Sequence, residues 1–251
     1  MMDGVAVSII SHGHGEMVIG LVSQLLDCPE VSKIVITKNI YEELIFPESS
    51  KVQVIENKSP KGFGENHNYA FMGIKEEFFC PLNPDIRLLA NPFPALIDDF
   101  RKYNSDLVAP LILNDFGSIE DSVRYFPTLP SLILKLTFKS RGNYSLSKKC
   151  CVFTPEWVAG MFMLFKSLSF KKLNGFNEEY FLYYEDVDIC IRLWKRGMKI
   201  IFDPSVSVIH DARRASRKNF LHMKMHMKSM LRYFYSHLGR LPIIPVDNKN
   251  E

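Results

Sequence analysis

The stretch VAVSIISHGHG, Val5 to Gly15, joins a run of apolar residues to a short turn that contains two glycines. The run is short and rich in β-branched residues, so it predicts a buried strand. The residues that follow the turn, Glu16–Leu26, have a helical pattern. A strand followed directly by a helix is the repeating unit of a parallel α/β sheet.

The same alternation continues through the first 110 residues. The further predicted strands are Lys33–Thr37, Val52–Ile55, Glu77–Leu82 and Asp106–Ile112, and the further predicted helices are Gly64–Ile74 and Pro94–Tyr103. This order predicts an α/β fold with a mostly parallel central sheet flanked by helices. In open sheets of this kind, ligands bind beyond the carboxyl ends of the strands.

Composition places the chain among ordinary globular proteins, because 47% of its 251 residues are hydrophobic and 24% are charged. No apolar run reaches the roughly 18 residues that a membrane-spanning helix needs. The N-terminus lacks a basic n-region, so the sequence predicts no signal peptide and a cytoplasmic protein. The five cysteines show no CxxC spacing and are predicted to be free thiols.

The second half of the chain is predicted less evenly. Residues 114–155 show no clear period and are interpreted as an insertion or a flexible loop on the acceptor side. The later predicted elements are a strand at Glu156–Lys166, a helix at Gly175–Gly197, strands at Met198–Pro204 and Val206–His210, and a long final helix at Ser216–His237. One domain with a helical C-terminal extension is the predicted organisation.

Two polar segments fall on the predicted ligand edge of the sheet. The first is SHGHG after the first strand, and the second is NPDI, Asn83 to Ile86, after the fourth. A carboxylate such as Asp85 can bind a divalent cation that bridges a diphosphate, because Mg²⁺ takes one or two protein carboxylates and leaves its other positions to phosphate and water. An Asx-type turn around Pro84 is the structural alternative. His210 ends the last predicted strand, where it is either structural or a further ligand.

An acidic cluster lies in GFNEEYFLYYEDVDICIRLWKRG, Gly175 to Gly197. On a helical projection Glu185 and Asp188 share a polar face, and Asp186 lies on the apolar flank. Crowded carboxylates repel one another, and one on an apolar flank has a raised pKa unless a cation or hydrogen bonds hold it. The cluster is therefore either a reaction centre or an acidic first turn that offsets the helix dipole. The projection alone does not choose between them.

A third polar segment, NKSPKGFGENHNYAF, places Gly62 and Gly64 before a helix whose N-terminus can face an anion. It matches neither GxGxxG nor the P-loop pattern, so it does not predict a dinucleotide or P-loop site. The polar residues Asn66, His67 and Asn68 suggest a ligand contact.

Taken in order, SIISHGHG, GFGENHN, LNPDI, RYFP, WVAGMFML, GFNEEYFLYYEDVDICIRL and VIH resemble the family 2 glycosyltransferases, especially the bacterial rhamnosyltransferases of O-antigen and surface-polysaccharide synthesis. The resemblance implies a GT-A fold with a Rossmann-like sheet. It further implies that residues 1–112 bind a nucleotide-sugar, that residues 113–211 bind the acceptor, and that 212–251 form a basic helical extension.

The resemblance also implies roles for individual residues. Asp186 would be the general base of an inverting transfer, supported by Glu185 and Asp188. A Mg²⁺ or Mn²⁺ ion on the donor diphosphate would be held by Asp85 and His210. The residues assigned to the nucleotide-sugar are Ser11, His12, Gly13, His14, Asn39, Gly62, Gly64, Asn68, Asn83 and Asp85.

Two positions depart from the family pattern. Asn83 stands where a full DxD motif has its first carboxylate, which weakens the predicted cation site. The segment Thr37–Asn39 stands where many relatives have Asp-Asn, so a base contact from an Asp is missing. The expected donor is dTDP-rhamnose, with a UDP-sugar as the alternative, and the expected acceptor is a glycan or a sugar on a polyprenyl diphosphate.

The C-terminal region is strongly basic: Ala212 to Val246 contain no Asp or Glu and eight Lys or Arg residues. Such a helix either rests on the anionic inner leaflet of the cytoplasmic membrane or packs on the domain by its apolar side. No recognition motif accompanies the charge, so nucleic-acid binding is not expected. The rival functions are a sugar-nucleotidyltransferase and a non-catalytic glycan-binding protein.

Overall fold

The computed structural model describes residues 2–131, 144, 151–211 and 220–244. The strands are β1 Met2–Ser11, β2 Val31–Lys38, β3 Val52–Glu56, β4 Glu76–Leu82, β5 Ile86–Leu88, β6 Leu107–Leu113, β7 Val123–Arg124, β8 Trp157–Val158, β9 Leu164–Lys166 and β10 Ile200–His210. The helices are α1 Glu16–Leu26, α2 Phe63–Phe71, α3 Phe93–Tyr103, α4 Ser167–Lys172, α5 Glu185–Lys195 and α6 Phe220–His237.

An eight-stranded sheet of order β3-β2-β1-β4-β9-β6-β10-β5 forms the centre of the domain. Neighbouring strands run parallel except at β9, which is antiparallel to β4 and β6, and at β5, which is antiparallel to β10. The mostly parallel α/β fold is therefore confirmed. Strand β7 pairs with β8 in a separate antiparallel ribbon.

The apolar pattern of β1 explains its central place. Val5, Ala6, Val7 and Ile9 are fully buried, as expected for a strand covered on both faces. Val5, Val7 and Ile9 face the core under α1 and α3, whereas Ala6 faces the core under α2, α4 and α5. The helices thus cover both sides of the sheet and leave its carboxyl edge for the polar segments.

Three sequence predictions in the second half were partly wrong. Glu156–Lys166 is not one strand, because a turn through Gly160 separates β8 from β9. The two predicted late strands are one, β10, whose register shifts between Asp203 and Ser207. The residues before Glu185 are turns, because Tyr183 and Tyr184 take left-handed backbone angles that a right-handed helix excludes.

The final helix, α6, packs its inner side against α5 and the turn before it. None of the described helices is both long and apolar enough to cross a bilayer. Residues 212–219 and 245–246 of the basic region lie outside the described residues, as do residues 132–143 and 145–150 of the predicted loop at 114–155. The division at residues 112 and 211 stays a prediction.

Candidate active site

The carboxyl ends of β1 and β2 come together at one edge of the sheet. The carbonyl of Ser11 accepts a hydrogen bond from the backbone N–H of Asn39 at 2.8 Å. The Ser11 hydroxyl is fully buried and has no hydrogen-bond partner among the described residues. Buried hydroxyls normally have a partner, so this atom is free to receive one.

Asn39 is the centre of a buried amide cluster. Its carbonyl oxygen accepts from the backbone N–H of Lys61 at 2.8 Å and from the Asn57 amide at 2.8 Å. Its own amide donates to the Lys61 carbonyl at 3.0 Å. Asn66 joins the same cluster and is 1% exposed, so its side chain supports the fold. The cluster ties the loop after β2 to the turn before α2.

The turn after β1 holds an acidic side chain. The carboxylate of Glu42 accepts from the backbone N–H groups of Gly13 and Gly15, both at 3.3 Å. Gly13 and Gly15 have φ values of 81° and 57°, which favour glycine. His12 and His14 belong to this turn, where the His12 N–H donates to His14 Nδ1 at 2.9 Å. The turn therefore presents two N–H groups to the two oxygens of one carboxylate.

The glycines before and within α2 are explained by close packing. A Cβ at Gly62 would lie 2.9 Å from the Phe181 carbonyl oxygen, and one at Gly64 would lie 2.7 Å from the Phe176 Cβ. Asn68 receives the Phe176 N–H at 2.8 Å and donates to the Phe176 carbonyl at 2.9 Å. These contacts fix α2 against the segment that leads to α5. Their assignment to the nucleotide-sugar stays a prediction.

At the other end of the edge, Asp85 and His210 lie together as the sequence predicts. His210 Nε2 is 3.2 Å from Asp85 Oδ2, and His210 Nδ1 is 2.7 Å from Glu120 Oε2. Burial alone would lower the pKa of His210, but hydrogen bonds and charge from Asp85 and Glu120 outweigh it and raise the pKa to about 9. The second oxygen of Asp85 is buried and has no partner in the described part of the chain.

A short turn joins this edge to the acidic helix. Asn83 donates its backbone N–H to the Met161 carbonyl at 2.9 Å, and the neighbouring Gly160 donates its own N–H to Asp186 Oδ2 at 3.1 Å. A Cβ at Gly160 would lie 3.6 Å from the Asp186 Cβ. The end of β4 and Asp186 are thus held on adjacent residues of one turn.

Asp186 is partly buried at the start of α5. Its Oδ1 accepts the Val187 N–H at 2.8 Å, in addition to the bond from Gly160 to Oδ2. Burial raises the pKa of Asp186, and the two backbone N–H groups and the charge of Arg124 oppose the rise. The result is a carboxylate with increased basicity that remains available at the site.

The other two acidic residues of the cluster are more deeply buried than the helical projection suggests. Glu185 is 5% exposed, and burial raises the pKa of its carboxyl group well above the usual value. Asp188 is 2% exposed, and it contacts Arg192 Nε at 2.6 Å and His237 Nε2 at 2.9 Å. A shared polar face was therefore the wrong expectation, because α6 covers Asp188.

Comparison with known proteins shows the family. A family model described as the N-terminal domain of galactosyltransferase matches residues 144–224. Rhamnosyltransferase WbbL of Escherichia coli strain K12 is 30% identical over 245 residues, which cover 91% of this chain and 92% of that protein. The chain belongs to the family 2 glycosyltransferases.

Two further similarities agree with this family. N-acetylglucosaminyl-diphospho-decaprenol L-rhamnosyltransferase of Mycobacterium tuberculosis is 29% identical over 164 residues, which cover 61% of this chain and 53% of that protein. The solved structure of GalNAc-T7 with UDP, GalNAc and Mn²⁺ has a TM-score of 0.66 at 16% identity. It covers 86% of this chain and 44% of that one, and it confirms the GT-A fold.

The protein is therefore an enzyme, a glycosyltransferase. Family membership sets aside the two rival functions, the sugar-nucleotidyltransferase and the non-catalytic glycan-binding protein. Four of the motifs that carried the resemblance lie at the ends of β1, β4 and β10 and at the start of α5 in this glycosyltransferase.

Sequence reasoning missed three residues of this glycosyltransferase site. Glu120 lies in a segment without a clear period, although it binds His210 directly. Arg124 belongs to the RYFP motif, and its guanidinium lies 5.6 Å from the Trp157 ring centre. Gly160 carries the N–H that binds Asp186. The RYFP and WVAG motifs contained a signal for the last two, but nothing in the sequence connected either to Asp186.

The backbone immediately before the acidic helix is strained. Tyr183 and Tyr184 have φ values of 72° and 68°, in the left-handed region. This conformation costs non-glycine residues roughly 1–2 kcal/mol each. Such strain persists only where surrounding contacts determine the conformation, and it is concentrated at functional sites.

Proposed function

We propose that this glycosyltransferase transfers L-rhamnose from dTDP-rhamnose, with inversion at the anomeric carbon, to a sugar on a lipid diphosphate during bacterial surface-polysaccharide synthesis. Asp186 is the general base, and a Mg²⁺ or Mn²⁺ ion binds the donor diphosphate at Asp85 and His210. The observation that carries the proposal is the carboxylate of Asp186, held by the Gly160 turn beside the end of β4.

The environment of Asp186 suits a base. Burial raises its pKa, so it accepts a proton more readily than a carboxylate in water does. Its two backbone hydrogen bonds fix the direction of the carboxylate. An inverting displacement needs one enzyme base, which removes the proton of the acceptor hydroxyl as that oxygen attacks the anomeric carbon. The donor diphosphate leaves from the opposite side.

The residues at the end of β10 fit a divalent cation. His210 presents Nε2 towards Asp85, and its Nδ1 is bound to a second carboxylate, Glu120, the arrangement that orients a metal-binding histidine. A cation at this place would displace the proton that the raised pKa keeps on the imidazole, because a ligating histidine is neutral. Asp85 Oδ1 is buried and unpartnered within the described residues, which leaves it a free ligand atom.

Among the described residues, no three His, Cys, Asp or Glu side chains are grouped so as to hold a metal by themselves. A cation at Asp85 and His210 would therefore depend on phosphate oxygens for its remaining ligands, as Mg²⁺ sites with substrate phosphates do. When bound, the cation supplies positive charge to the departing diphosphate. The Mn²⁺ in the GalNAc-T7 structure supports a divalent ion here.

The relatives support the choice of substrates. Both curated proteins reported above are named as rhamnosyltransferases, and one is named for a lipid diphosphate that carries N-acetylglucosamine. The donor nucleotide is assigned to the turn at Ser11 to His14 and to Asn39. The proposed nucleotide-sugar region also includes Gly62, Gly64 and Asn68 on the α2 side and Asn83 directly after β4.

The test is a transfer assay with dTDP-rhamnose, a UDP-sugar panel, a lipid-diphosphate sugar acceptor and Mg²⁺ or Mn²⁺. We expect Asp186→Asn to lower kcat by about 10²-fold or more, within the range of general-base effects. Asp98→Asn, at an exposed position on α3, is the matched control and should retain activity. Full transfer by Asp186→Asn would refute the assignment of Asp186 as the general base. Transfer from a UDP-sugar and not from dTDP-rhamnose would refute the proposed donor.

The outer side of α6 supports a second element of the proposal, contact with the inner face of the cytoplasmic membrane. Exposed apolar residues recur at helical spacing along it, and Lys224 and Lys228 lie on the same side. The apolar residues are Phe220, Leu221, Met223, Met227, Leu231 and Tyr235 on α6, and Leu238 directly after it. Basic residues beside an apolar face favour an anionic bilayer.

Flotation with vesicles that contain anionic lipid tests this contact. The double variant Met227→Glu and Leu231→Glu should lose most binding, because it places two acidic groups on the face that would enter the bilayer. Leu168→Glu changes an exposed leucine on α4 and serves as the control. Equal flotation of all three proteins would reject membrane binding through α6.

A further inference from the structure

The inner side of α6 contacts the chain immediately before the proposed base. The Ser229 hydroxyl donates to the Leu182 carbonyl at 2.8 Å, and the Tyr183 hydroxyl lies 3.0 Å from His222 Nδ1. The rings of Tyr184 and Tyr233 lie 5.2 Å apart. Thus α6 holds the three residues 182–184, which include both left-handed positions.

A second contact of α6 lies immediately after the base. His237 Nε2 is 2.9 Å from Asp188 Oδ1, and both side chains are buried, at 6% and 2% exposure. The other oxygen of Asp188 binds Arg192 on the same helix. Burial would raise the pKa of Asp188, but the hydrogen bonds and charges of His237 and Arg192 outweigh it and lower the pKa. The pair is therefore a buried, charge-assisted link between α5 and α6.

These contacts flank Asp186 on both sides along the chain. Asp186 itself is held by the Gly160 N–H and by the neighbouring Val187 N–H. The Gly160 bond can form only if the first turn of α5 begins at its present position, because Asp186 lies in that turn. The left-handed turn at Tyr183 and Tyr184 sets that start, and α6 is packed on the turn. The direction of the Asp186 carboxylate thus depends on α6.

We infer that α6 positions the base of this glycosyltransferase, and that Ser229 and His237 are positioning residues which act on Asp186 through Leu182 and Asp188. The inference rests on the proposed function, since it takes Asp186 as the base. A purely structural role for α6 would lower stability without a selective effect on turnover. A positioning role lowers kcat and leaves intact the donor site at the carboxyl end of β1.

The first test compares two serines. Ser229→Ala removes the bond to Leu182, whereas Ser23→Ala removes a bond that stays within α1, from its hydroxyl to Ile19. We expect Ser229→Ala to lower kcat by about 10-fold to 100-fold, the range that a small misplacement of a reacting group costs. The KM for the donor should stay within about twofold, and Ser23→Ala should behave as wild type.

The second test compares two substitutions at His237. His237→Ala leaves Asp188 Oδ1 without its partner, whereas the amide of His237→Gln can still donate to it. We expect His237→Ala to lower kcat as Ser229→Ala does, and His237→Gln to recover most of the loss. All assays run well below the melting temperature of each variant, and its folded fraction is measured.

Hydrogen exchange gives a readout that needs no substrate. Backbone amides at residues 183–188 should exchange faster in Ser229→Ala and His237→Ala, while those of β1 and β4 keep the wild-type rate. If Ser229→Ala and His237→Ala both keep the wild-type kcat and exchange rates while Asp186→Asn loses activity, the inference is overturned and the proposed function stands. A fully active Asp186→Asn would instead overturn the proposed function. A loss of kcat that only follows the unfolded fraction would also reject positioning.

Discussion

A buried pair of carboxyl groups away from the catalytic edge should make the stability of this glycosyltransferase depend on pH. Asp99 on α3 and Asp203 on β10 are 6% and 4% exposed. Burial, followed by the charge of Asp203 and the hydrogen bond with it, raises the pKa of Asp99 from 3.8 to about 7. Asp203 also accepts from the N–H and the hydroxyl of Ser205, at 2.8 and 2.6 Å. We therefore assign the shared proton to Asp99.

The direction in which stability changes with pH follows from proton linkage. Because the pKa of Asp99 is higher in the folded state, the folded protein binds the proton more tightly than the unfolded chain does. The contribution to stability is fully present below pH 3.8 and is lost as the pH rises through about 7. The total contribution to the free energy of unfolding is about 4 kcal/mol, because a pKa difference of one unit corresponds to about 1.4 kcal/mol. Between pH 5 and pH 8 the loss is about 2–3 kcal/mol.

Asp99→Asn tests this magnitude, because an amide keeps a hydrogen bond to Asp203 and does not titrate. Urea unfolding at pH 5, 6.5 and 8 should show that the variant loses about 2–3 kcal/mol less stability than wild type across this interval. Asp98→Asn, at the adjacent exposed position, should keep most of the wild-type dependence, because the charge of Asp98 is the smallest of the contributions that shift the pKa of Asp99. The reasoning is refuted if Asp99→Asn and wild type lose the same free energy between pH 5 and pH 8.

Two further predictions concern packing and the base. Gly64→Ala places a Cβ 2.7 Å from the Phe176 Cβ and should destabilise the fold by about 1–3 kcal/mol. Gly20→Ala has open space around the new Cβ and should stabilise the fold by about 0.5–1 kcal/mol. Chemical denaturation of both variants measures the difference in the free energy of unfolding. Arg124→Met removes a cation that lowers the pKa of Asp186 against burial, so the acid limb of the kcat/KM profile should move to higher pH. An unmoved acid limb would contradict the role of the cation.

The first half of the fold was predictable because its signals are local. The mostly apolar run of β1 and the helical pattern of α1 each specify an element within about ten residues, and both appear where the sequence places them. The Asp85 and His210 pair was predictable for a topological reason, since Asp85 lies in the turn after β4 and His210 ends β10 at the same edge. Glu120 was not, because it reaches His210 from a loop whose path no local pattern determines.

The burial of the acidic cluster could not be predicted from the helix that carries it. A projection of α5 places Asp188 on a polar face, but His237 lies 49 positions further along the chain and covers it. The packing of α6 decides whether the Asp188 side of α5 meets solvent. The same contact explains why the sequence could not separate supporting residues from the base within the cluster.

The three carboxyl groups at the start of α5 can coexist because each is stabilised differently. Asp188 is an anion balanced by Arg192 and His237. Glu185 is buried in surroundings that raise its pKa, which favours its neutral form and reduces the charge beside Asp186. Asp186 keeps its carboxylate through backbone N–H groups at a helix N-terminus, where the dipole also favours an anion. The dipole and the reaction centre are therefore compatible explanations of one sequence feature, because the interaction that stabilises an acidic first turn also keeps the proposed base ionised and directed at the Gly160 turn.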